Sequence, residues 1–375
     1  MKVLISCLSQ SWGGMEMYTL TSLLKLTDKN IDAELLCYKN SRLHKEAINL
    51  GIKTSVSNAS GYFSPGEITK LATLIELNKY SLIHTHASKD LWLLVPSLKF
   101  ASSSIPLILT KHVGSFIVKK DFFHKWIYNR VDCALAISQV IKKNLIDTTP
   151  LKVNKVKLLY DGINVDKFNP AQAGRKKIRN EFNIESQDIV IGMMARFSPG
   201  KGHEEFIRAA EIVSSKYNNL KFMIVGEPSR GEDSYGAEIK SLAENSIIKN
   251  KIIFTGFRKD TPDILAAMDI FAFPSHAEAL GMALIEAMAM GIPSVCSKSD
   301  GVLDIAVDNV TSYLFEKQNT HDLADKLEQL IASPVKREEF GKAARERVIK
   351  NFDINLVTGQ VVDIYNELIK RKLKL

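Results

Sequence analysis

The stretch from Asp269 to Gly291 constrains the fold of this chain of 375 residues more than any other. It opens with a short apolar run, Asp269–Ser275, which ends in Pro-Ser and is typical of a buried parallel strand. Apart from one glycine, every residue of Ala279–Met290 is a fair or good helix former, and Gly291 followed by Ile-Pro ends that helix. The stretch therefore predicts a strand, a tight loop and a helix.

The first turn of this helix predicts an anion site. Its backbone N–H groups have no acceptor within the helix and carry the positive end of the helix dipole, so they favour a phosphate. The groups expected to face the crevice at the carboxyl end of the strand are those of Ala279, Leu280, Gly281 and Met282.

Two glutamates accompany this turn. Glu278 lies in the loop, and Glu286 lies about two helical turns later, so both side chains can face one crevice. A carboxylate near a phosphate site can accept both hydroxyls of a ribose, so the pair predicts a nucleotide site, with Glu278 left for a group beyond the diphosphate. A helix packed under a sheet, with two solvated glutamates, explains this stretch equally well when it is taken alone.

The rest of the chain repeats the alternation of strand and helix patterns, which predicts parallel sheets in an α/β fold. The length predicts two domains. The sequence has no apolar run of about 18 residues and no signal-peptide pattern, so we expect a cytoplasmic protein. Its four cysteines are far apart and lack the spacing of metal ligands, which indicates reduced core residues.

The segment from Asp269 to Gly291, continued by Ile292-Pro293-Ser294-Val295, resembles the signature of the retaining glycosyltransferases of family four, which have the GT-B fold. That signature has two glutamates separated by seven residues after Pro-Ser, then a helix of small residues and Gly-x-Pro. The resemblance implies two Rossmann-like domains facing across a cleft. It also implies transfer of a sugar from a nucleotide diphosphate sugar to a hydroxyl, with retention at the anomeric carbon.

A second element of this resemblance follows the first strand of the second domain. Arg196 and Lys201-Gly202 match the family's Arg-x-x-x-x-Lys-Gly, and two cations after one strand suit a diphosphate leaving group. The element is not a Walker A loop, because Ala195 stands where the first glycine is required. A basic solvated turn is the alternative.

The resemblance assigns further donor contacts in this domain. It places Glu286 on the ribose and Glu278 on the sugar hydroxyls. Gly226 belongs to a Val-Gly-x-Gly loop whose second glycine is replaced by Pro228. The residues at the usual place of nucleobase contacts are Phe257 and Arg258.

In the first domain, Gly13 and Gly14 lie at a strand-to-helix turn and resemble the family's Gly-Gly loop, which contacts donor phosphate and acceptor. His112 resembles the histidine of a Thr-x-His element, which implies a place beside the donor sugar. His84 and His86 resemble a His-x-His pair on the cleft floor. A flexible turn and core histidines are the alternatives.

The catalytic residues implied by the resemblance are Arg196, Lys201, Glu278 and His112. No Asp-x-Asp occurs in the chain, so we expect no metal and no cofactor beyond the nucleotide diphosphate sugar as co-substrate. A uridine diphosphate sugar is favoured, with a glycan or lipid-linked acceptor. Two alternatives are a sugar-nucleotide epimerase of the same fold and a non-catalytic nucleotide-sugar-binding subunit.

The resemblance also suggests domain limits. Asp161–Phe168 resembles the family's linker, although Asp161 stands where Asn is usual and Asn164 where Asp is usual. We predict a first domain over 1–168, a linker over 169–186 and a second domain over 187–354. The C-terminal helix, 355–375, is expected to complete the first domain.

The net charge of +8 is unevenly distributed. Residues 1–170 carry 22 Lys and Arg against 13 Asp and Glu, whereas the remainder is almost neutral. This imbalance favours an anionic lipid surface over nucleic acid, and we expect no nucleic-acid partner. Phe116–Arg130 interleaves aromatic and basic residues at helical spacing, which suits such a membrane surface. The interpretation gives a cytoplasmic protein peripheral on the inner face of the membrane; a helix packed on the sheet with a solvated basic edge fits as well.

Overall fold

The computed structural model describes residues 1–374 apart from residues 60, 62 and 230. The described chain divides into two compact units. The first comprises Met1–Gly162 together with the segment from Ile354 onward, and the second comprises Ile163–Asp353. Each is built on a parallel sheet accompanied by helices, so the predicted α/β architecture of two Rossmann-like domains is confirmed.

In the first unit, the described strands are β1 Lys2–Cys7, β2 Asp32–Tyr38, β3 Thr54–Ser57, β4 Leu82–Thr85, β5 Leu107–Lys111, β6 Cys133–Ala136 and β7 Val156–Leu158. Its helices, numbered along the whole chain, are α1 Gly14–Asp28, α2 Arg42–Asn49, α3 Pro65–Asn78, α4 Leu91–Phe100, α5 Phe122–Asn129, α6 Gln139–Thr148 and α15 Ile354–Leu373. The strand order is β3-β2-β1-β4-β5-β6-β7.

In the second unit, the described strands are β8 Ile189–Met194, β9 Leu220–Val225, β10 Ile252–Gly256, β11 Ile270–Phe273, β12 Ser294–Ser297 and β13 Ser312–Phe315. Its helices are α7 Arg175–Glu181, α8 His203–Ser214, α9 Asp233–Glu244, α10 Thr261–Ala266, α11 Met282–Ala289, α12 Val302–Ile305, α13 Thr320–Ala332 and α14 Pro334–Asn351. The strand order is β10-β9-β8-β11-β12-β13.

Each sheet has one place where the strand order reverses. In the first it lies between β1 and β4, and in the second between β8 and β11. Loops leaving the carboxyl ends of two such strands turn to opposite faces of the sheet and leave a crevice, which is where α/β proteins bind their ligands. A ligand site is therefore expected among the loops that follow these four strands.

The cores explain the apolar strand patterns. A parallel sheet covered on both faces buries nearly every strand side chain, and β1 is buried from Val3 to Cys7. Tyr365 of α15 lies fully buried in the same core, so the C-terminal helix completes the first unit. The second core includes Phe222 and Phe315.

The boundary between the units differs from the predicted one. The first unit ends at Gly162 rather than residue 168, and the predicted linker over 169–186 contains α7 and lies inside the second unit. The polar residues of this segment form contacts within that unit. The Gly174 N–H donates to Asp263 at 2.8 Å, and Arg179 Nη1 forms an ion pair with Asp269 at 3.3 Å.

Two helices begin later than predicted. α11 begins at Met282 rather than Ala279, because the loop before it is held by the Gly301 N–H, which donates to the Glu278 carbonyl at 3.0 Å. α5 begins at Phe122 rather than near Phe116, because the carboxylate of Asp121 accepts the first free N–H groups as a helix cap.

Candidate active site

The crevice between β8 and β11 brings Lys201 and Glu278 together. Lys201 lies in the loop after β8, and Glu278 lies in the loop after β11. Lys201 Nζ donates to Glu278 Oε1 at 2.6 Å, and the two side chains are 22% and 15% exposed. The pair is largely shielded from water, yet both charged groups remain accessible to a ligand.

Gly202 explains why these two loops meet. It has a φ of +78°, and a Cβ at this position would lie 2.4 Å from the Pro274 carbonyl oxygen. The His276 N–H donates to the Gly200 carbonyl at 2.8 Å, and its Nε2 lies 2.8 Å from a carboxylate oxygen of Glu205. The loop that carries Lys201 is thus fixed against the loop that carries the glutamate.

Arg196 lies exposed in the same loop as Lys201 but contacts other residues. Its Nη1 donates to Ser229 Oγ at 3.2 Å. Gly226 follows β9 with a φ of +138°, and a Cβ there would lie 2.0 Å from the Ala195 carbonyl oxygen. Gly226 is therefore required for the loops after β8 and β9 to touch, whereas its contact with a donor stays a prediction.

The amino end of α11 presents backbone donors. Gly281 precedes the helix with a φ of +113°, and its carbonyl accepts from the N–H groups of Leu284 and Ile285. In the part of the chain that the structure describes, the N–H groups of Met282 and Ala283 donate to no backbone carbonyl. Three of the four predicted anion-binding residues, Ala279, Leu280 and Gly281, precede the helix, and only Met282 belongs to it.

Glu286 faces a different environment from Glu278. It is half-buried on α11, and among the described residues it has no ion-pair partner. Burial raises the pKa of Glu286 to about 7, while the charge of Lys167 opposes that rise. The carboxyl group is therefore poised to gain from a ligand that donates hydrogen bonds to its ionised form.

The two predicted nucleobase residues differ in availability. The ring of Phe257 is largely exposed. The guanidinium of Arg258 donates to both oxygens of Glu181, at 2.6 and 3.0 Å, and also pairs with Asp260. Phe257 thus presents an open aromatic surface, whereas Arg258 is held by two carboxylates.

In the first unit, the predicted glycine loop forms the amino end of α1. The Gly13 N–H donates to Glu16 Oε2 at 2.9 Å, so the helix caps itself. Gly14 begins the helix, and a Cβ there would meet nothing within 4 Å. The loop leaves space beside Gly14, while a role for either glycine in donor binding stays a prediction.

His112, after β5, belongs to a buried hydrogen-bonded cluster. Its Nδ1 lies 2.9 Å from Asp161 Oδ2, and its Nε2 lies 2.9 Å from His86 Nδ1. His84 contacts Tyr365 Oη at 2.6 Å through Nδ1. Burial lowers the pKa of His86 well below its ordinary value, so that ring is neutral.

Sequence reasoning did not predict the contact of Asp161 with His112, although the replacement of the usual Asn marked the position. It lies 49 residues after His112 and reaches it only in the folded unit. Both ring nitrogens of His112 are used within the first unit, and His86 Nε2 has no hydrogen-bond partner among the described residues. A ligand contact by this cluster would therefore involve the unsatisfied nitrogen of His86 or a rearrangement of His112.

Two family models account for most of the chain. Residues 12–167 match the model described as glycosyltransferase family 4, and residues 174–347 match the one described as glycosyl transferases group 1. The chain belongs to the group 1 and family 4 glycosyltransferases. Its GT-B fold is likewise confirmed.

Relatives of this glycosyltransferase are distant. It is 27% identical over 63% of its length to the capsular polysaccharide biosynthesis glycosyltransferase CapM of Staphylococcus aureus, of which the match spans 62%. It is 23% identical over 96% of its length, and 95% of the relative's, to the UDP-Gal:alpha-D-GlcNAc-diphosphoundecaprenol alpha-1,3-galactosyltransferase of Escherichia coli.

Solved structures share the fold of this glycosyltransferase. A glycosyltransferase from Rickettsia africae superposes with a TM-score of 0.90 at 22% identity, covering 98% of both chains. Anabaena HepE in complex with UDP superposes with a TM-score of 0.87 at 22% identity, covering 98% of this chain and all of the other. Within the described residues, no helix of the glycosyltransferase is long and apolar enough to cross a bilayer.

We expect the Glu286→Gln variant of this glycosyltransferase to bind UDP about tenfold more weakly at pH 8, because a ribose would lose an ionised acceptor. In the parent protein, UDP affinity should rise between pH 6 and 8, since ribose hydroxyls favour the ionised form of a carboxyl group whose pKa is about 7. Glutamine cannot titrate, so the variant should show a flatter dependence. Calorimetry of both proteins across this pH range checks the prediction. Identical pH profiles of UDP affinity would contradict the assignment of Glu286 to the ribose.

The Glu286→Gln substitution should also alter how the stability of the folded protein depends on pH. The raised pKa of Glu286 means that its neutral form stabilises the folded protein below about pH 4.5 and that this contribution is lost as the pH rises through 7. Without ligand, Glu286→Gln should therefore have the higher melting temperature at pH 8, with a smaller difference from the parent at pH 5. This control separates a weaker site from a misfolded variant.

Proposed function

We propose that this glycosyltransferase transfers a hexose-type sugar from a nucleotide diphosphate sugar, with retention at the anomeric carbon and without a metal ion, to a hydroxyl of a surface glycan or lipid-linked acceptor. The observation that carries the proposal is the Lys201–Glu278 pair in the crevice between β8 and β11. A sugar diphosphate needs a cation beside its phosphates and an acceptor beside its sugar hydroxyls. This crevice holds one of each.

In the proposed step, the bond between the anomeric carbon and the diphosphate oxygen breaks while the acceptor oxygen bonds to the same face of the sugar. The acceptor proton passes to the leaving phosphate oxygen, so no protein nucleophile is needed. Negative charge grows on the diphosphate, and Lys201 with Arg196 would stabilise it more in the transition state than in the ground state. Backbone donors at Met282 and Ala283 would contribute in the same way.

Uridine diphosphate is the favoured leaving group. Among proteins similar to this chain, HepE was crystallised with UDP and with UDP-glucose, and the Escherichia coli relative is named for UDP-Gal. The acceptor class follows the same kind of support, because the relatives named above act in capsular polysaccharide synthesis or on a diphosphoundecaprenol-linked sugar. The open ring of Phe257 is suited to stacking on a base.

A membrane surface is the proposed location of the acceptor. A groove of about 820 Å³ lies between α4 and α5 in the first unit. Its lining consists of Phe63, Trp92, Pro96, Lys99, Phe100, Phe123 and Trp126. Several of these rings are largely exposed, as are Phe116, Ile117 and Val118 nearby in sequence. Soluble monomers rarely expose a continuous apolar surface of this kind.

The positive charge near this groove favours an anionic bilayer as its binding partner. Lys120 and Lys125 are exposed within the same stretch of chain, and the first unit carries the whole positive excess of the protein. Aromatic residues interleaved with lysines suit the interface of an anionic bilayer, where the rings contact the acyl chains and the lysines contact the headgroups. We therefore propose reversible, peripheral association of a cytoplasmic enzyme with the inner face of the membrane.

A screen of nucleotide sugars tests the proposed function. Each donor is incubated with the full chain, with and without a lipid-linked acceptor and with and without a chelator, and the products are identified by mass spectrometry and NMR. We expect one UDP-sugar to be consumed with the acceptor present, with retained anomeric configuration and equal rates in the chelator. Conversion to another nucleotide sugar would favour an epimerase, and thermal stabilisation without turnover would favour a non-catalytic binder.

A further inference from the structure

Lys111 is a buried cation without a counter-charge. It is the last residue of β5, is 9% exposed, and its Nζ donates to Ser88 Oγ at 3.1 Å. Within the described part of the chain it forms no ion pair, and the charge that acts on it most is the ammonium of Lys119. Ionised side chains are rarely buried unless a charge of opposite sign accompanies them, because desolvation is costly.

A second cation acts on Lys111. Burial, together with the repulsion from Lys119, lowers the pKa of Lys111 to about 8. Burial also lowers the pKa of Lys119. Asp121, two residues after Lys119, does not compensate them, because its carboxylate caps α5 and pairs with His124. Asp90, two residues after Ser88, forms no ion pair with either lysine, and its Oδ2 accepts from Ser6 Oγ at 2.6 Å and from the Leu8 N–H.

The neighbouring groups can also donate hydrogen bonds. Ser88 begins a short turn before α4, and its hydroxyl contacts both Lys111 and the hydroxyl of Tyr128 on α5. Tyr128 is buried, and burial raises its pKa to about 12, so its hydroxyl keeps its proton. The Lys111 ammonium and two hydroxyls therefore lie together at the carboxyl edge of the first sheet, and the charge of Lys119 acts on them.

We propose that Lys111, Lys119, Ser88 and Tyr128 form a binding site for a phosphoryl group carried by the acceptor. A dianionic phosphoryl group would supply the missing counter-charge and accept from both hydroxyls. The site adjoins His112 in sequence, and Ser88 is four residues from Trp92, which lines the apolar groove. A phosphate linked to a hydrocarbon chain can therefore place its anion at Lys111 and its chain toward α4 and α5.

The assignment to the acceptor rests on the proposed function, in which Arg196 and Lys201 bind the donor diphosphate. The binding itself does not depend on turnover. Octyl phosphate is a suitable probe, since it combines a phosphoryl group with a short chain, and octanol and inorganic phosphate separate the two parts. Calorimetry is carried out on the full chain and on three variants that each remove one positive charge, Lys111→Met, Lys119→Met and, as the matched control, Lys120→Met.

We expect octyl phosphate to bind more tightly than octanol or inorganic phosphate. Lys111→Met and Lys119→Met should each weaken it about tenfold or more, whereas Lys120→Met should change it less than about twofold. UDP affinity should be unchanged in all three. Lys111→Met should keep or raise the melting temperature, because it removes an uncompensated buried charge, and this result excludes misfolding as the cause of weaker binding.

Three results would overturn the proposal. Equal losses in all three variants would mean that general charge, not this site, attracts the probe. Octanol binding as tightly as octyl phosphate would show that the phosphoryl group is not recognised. Inorganic phosphate binding as tightly would indicate a free-phosphate site. A protein that binds octyl phosphate through Lys111 but transfers no sugar would disprove the proposed function and leave the phosphoryl site standing.

Discussion

Replacing Lys201 by Ala is expected to lower turnover by about 100- to 1000-fold, the range seen when one stabilising donor is removed from a developing negative charge. Lys201 has its ammonium 2.6 Å from Glu278, in the crevice where the proposed diphosphate would leave. Because charge on the diphosphate grows during bond breaking, the loss should appear mainly in kcat, with a smaller change in KM for the donor. Steady-state kinetics with the donor identified by the screen measure both.

A matched control for this variant lies on the following helix. Arg208 of α8 is exposed, so Arg208→Ala removes one positive charge from the same unit without touching the crevice. We expect it to keep parental kinetics. If Lys201→Ala raised KM and left kcat intact, Lys201 would be a binding residue that holds substrate and transition state equally, and the electrostatic role would be withdrawn.

The second large effect concerns membrane association. We expect the parent protein to sediment with vesicles of anionic lipid at low salt and to be released as salt increases. Lys120→Gln with Lys125→Gln should reduce the partition coefficient about 30-fold at low salt, since each basic residue near an anionic surface contributes about 1 kcal/mol. Phe122→Ser with Phe123→Ser should reduce it by a similar factor that persists at high salt, because these variants remove apolar burial rather than charge.

Lysines elsewhere in the first unit provide the control. Lys45 on α2 and Lys152 before β7 are exposed, and their double replacement by Gln removes the same charge from other elements. It should leave vesicle binding near the parental value. A parent protein that stays in the supernatant at low salt would contradict the membrane proposal. Loss of a dimer when Phe122 and Phe123 are replaced would instead assign the apolar surface of α5 to a contact between copies of the chain.

The sequence predicted the fold well because its signals were local. The alternation of buried strands with helices predicted two parallel sheets, and the residues singled out in the second domain lie after β8, β9, β10 and β11. The strand-order reversal brings Lys201 and Glu278 together across 77 residues of sequence. The glycine that allows this approach, Gly202, could be noticed in the sequence, but its contact with Pro274 could not.

Side-chain contacts between residues that are distant in the chain could not be predicted from the sequence. The contact between His112 and Asp161 joins the ends of two strands that are not neighbours in the sheet, and no local pattern specifies it. The engagement of Arg258 by Glu181 likewise depends on where α7 packs. The predicted start of α5 was wrong for a simpler reason. Asp121 is a typical helix cap and could have been recognised in the sequence, but the prediction followed the aromatic pattern of Phe116–Arg130 instead.

The burial of Tyr365 has a consequence for biosynthesis. Most of the first unit is synthesised before the second unit, but its core lacks α15 until the second unit has been made. The second unit is continuous in sequence and can therefore fold during translation, while the first remains an open sheet with exposed apolar groups. The half of the enzyme that is translated first is thus the last to be finished, and a chain stopped before α15 would present that unfilled core to chaperones and proteases.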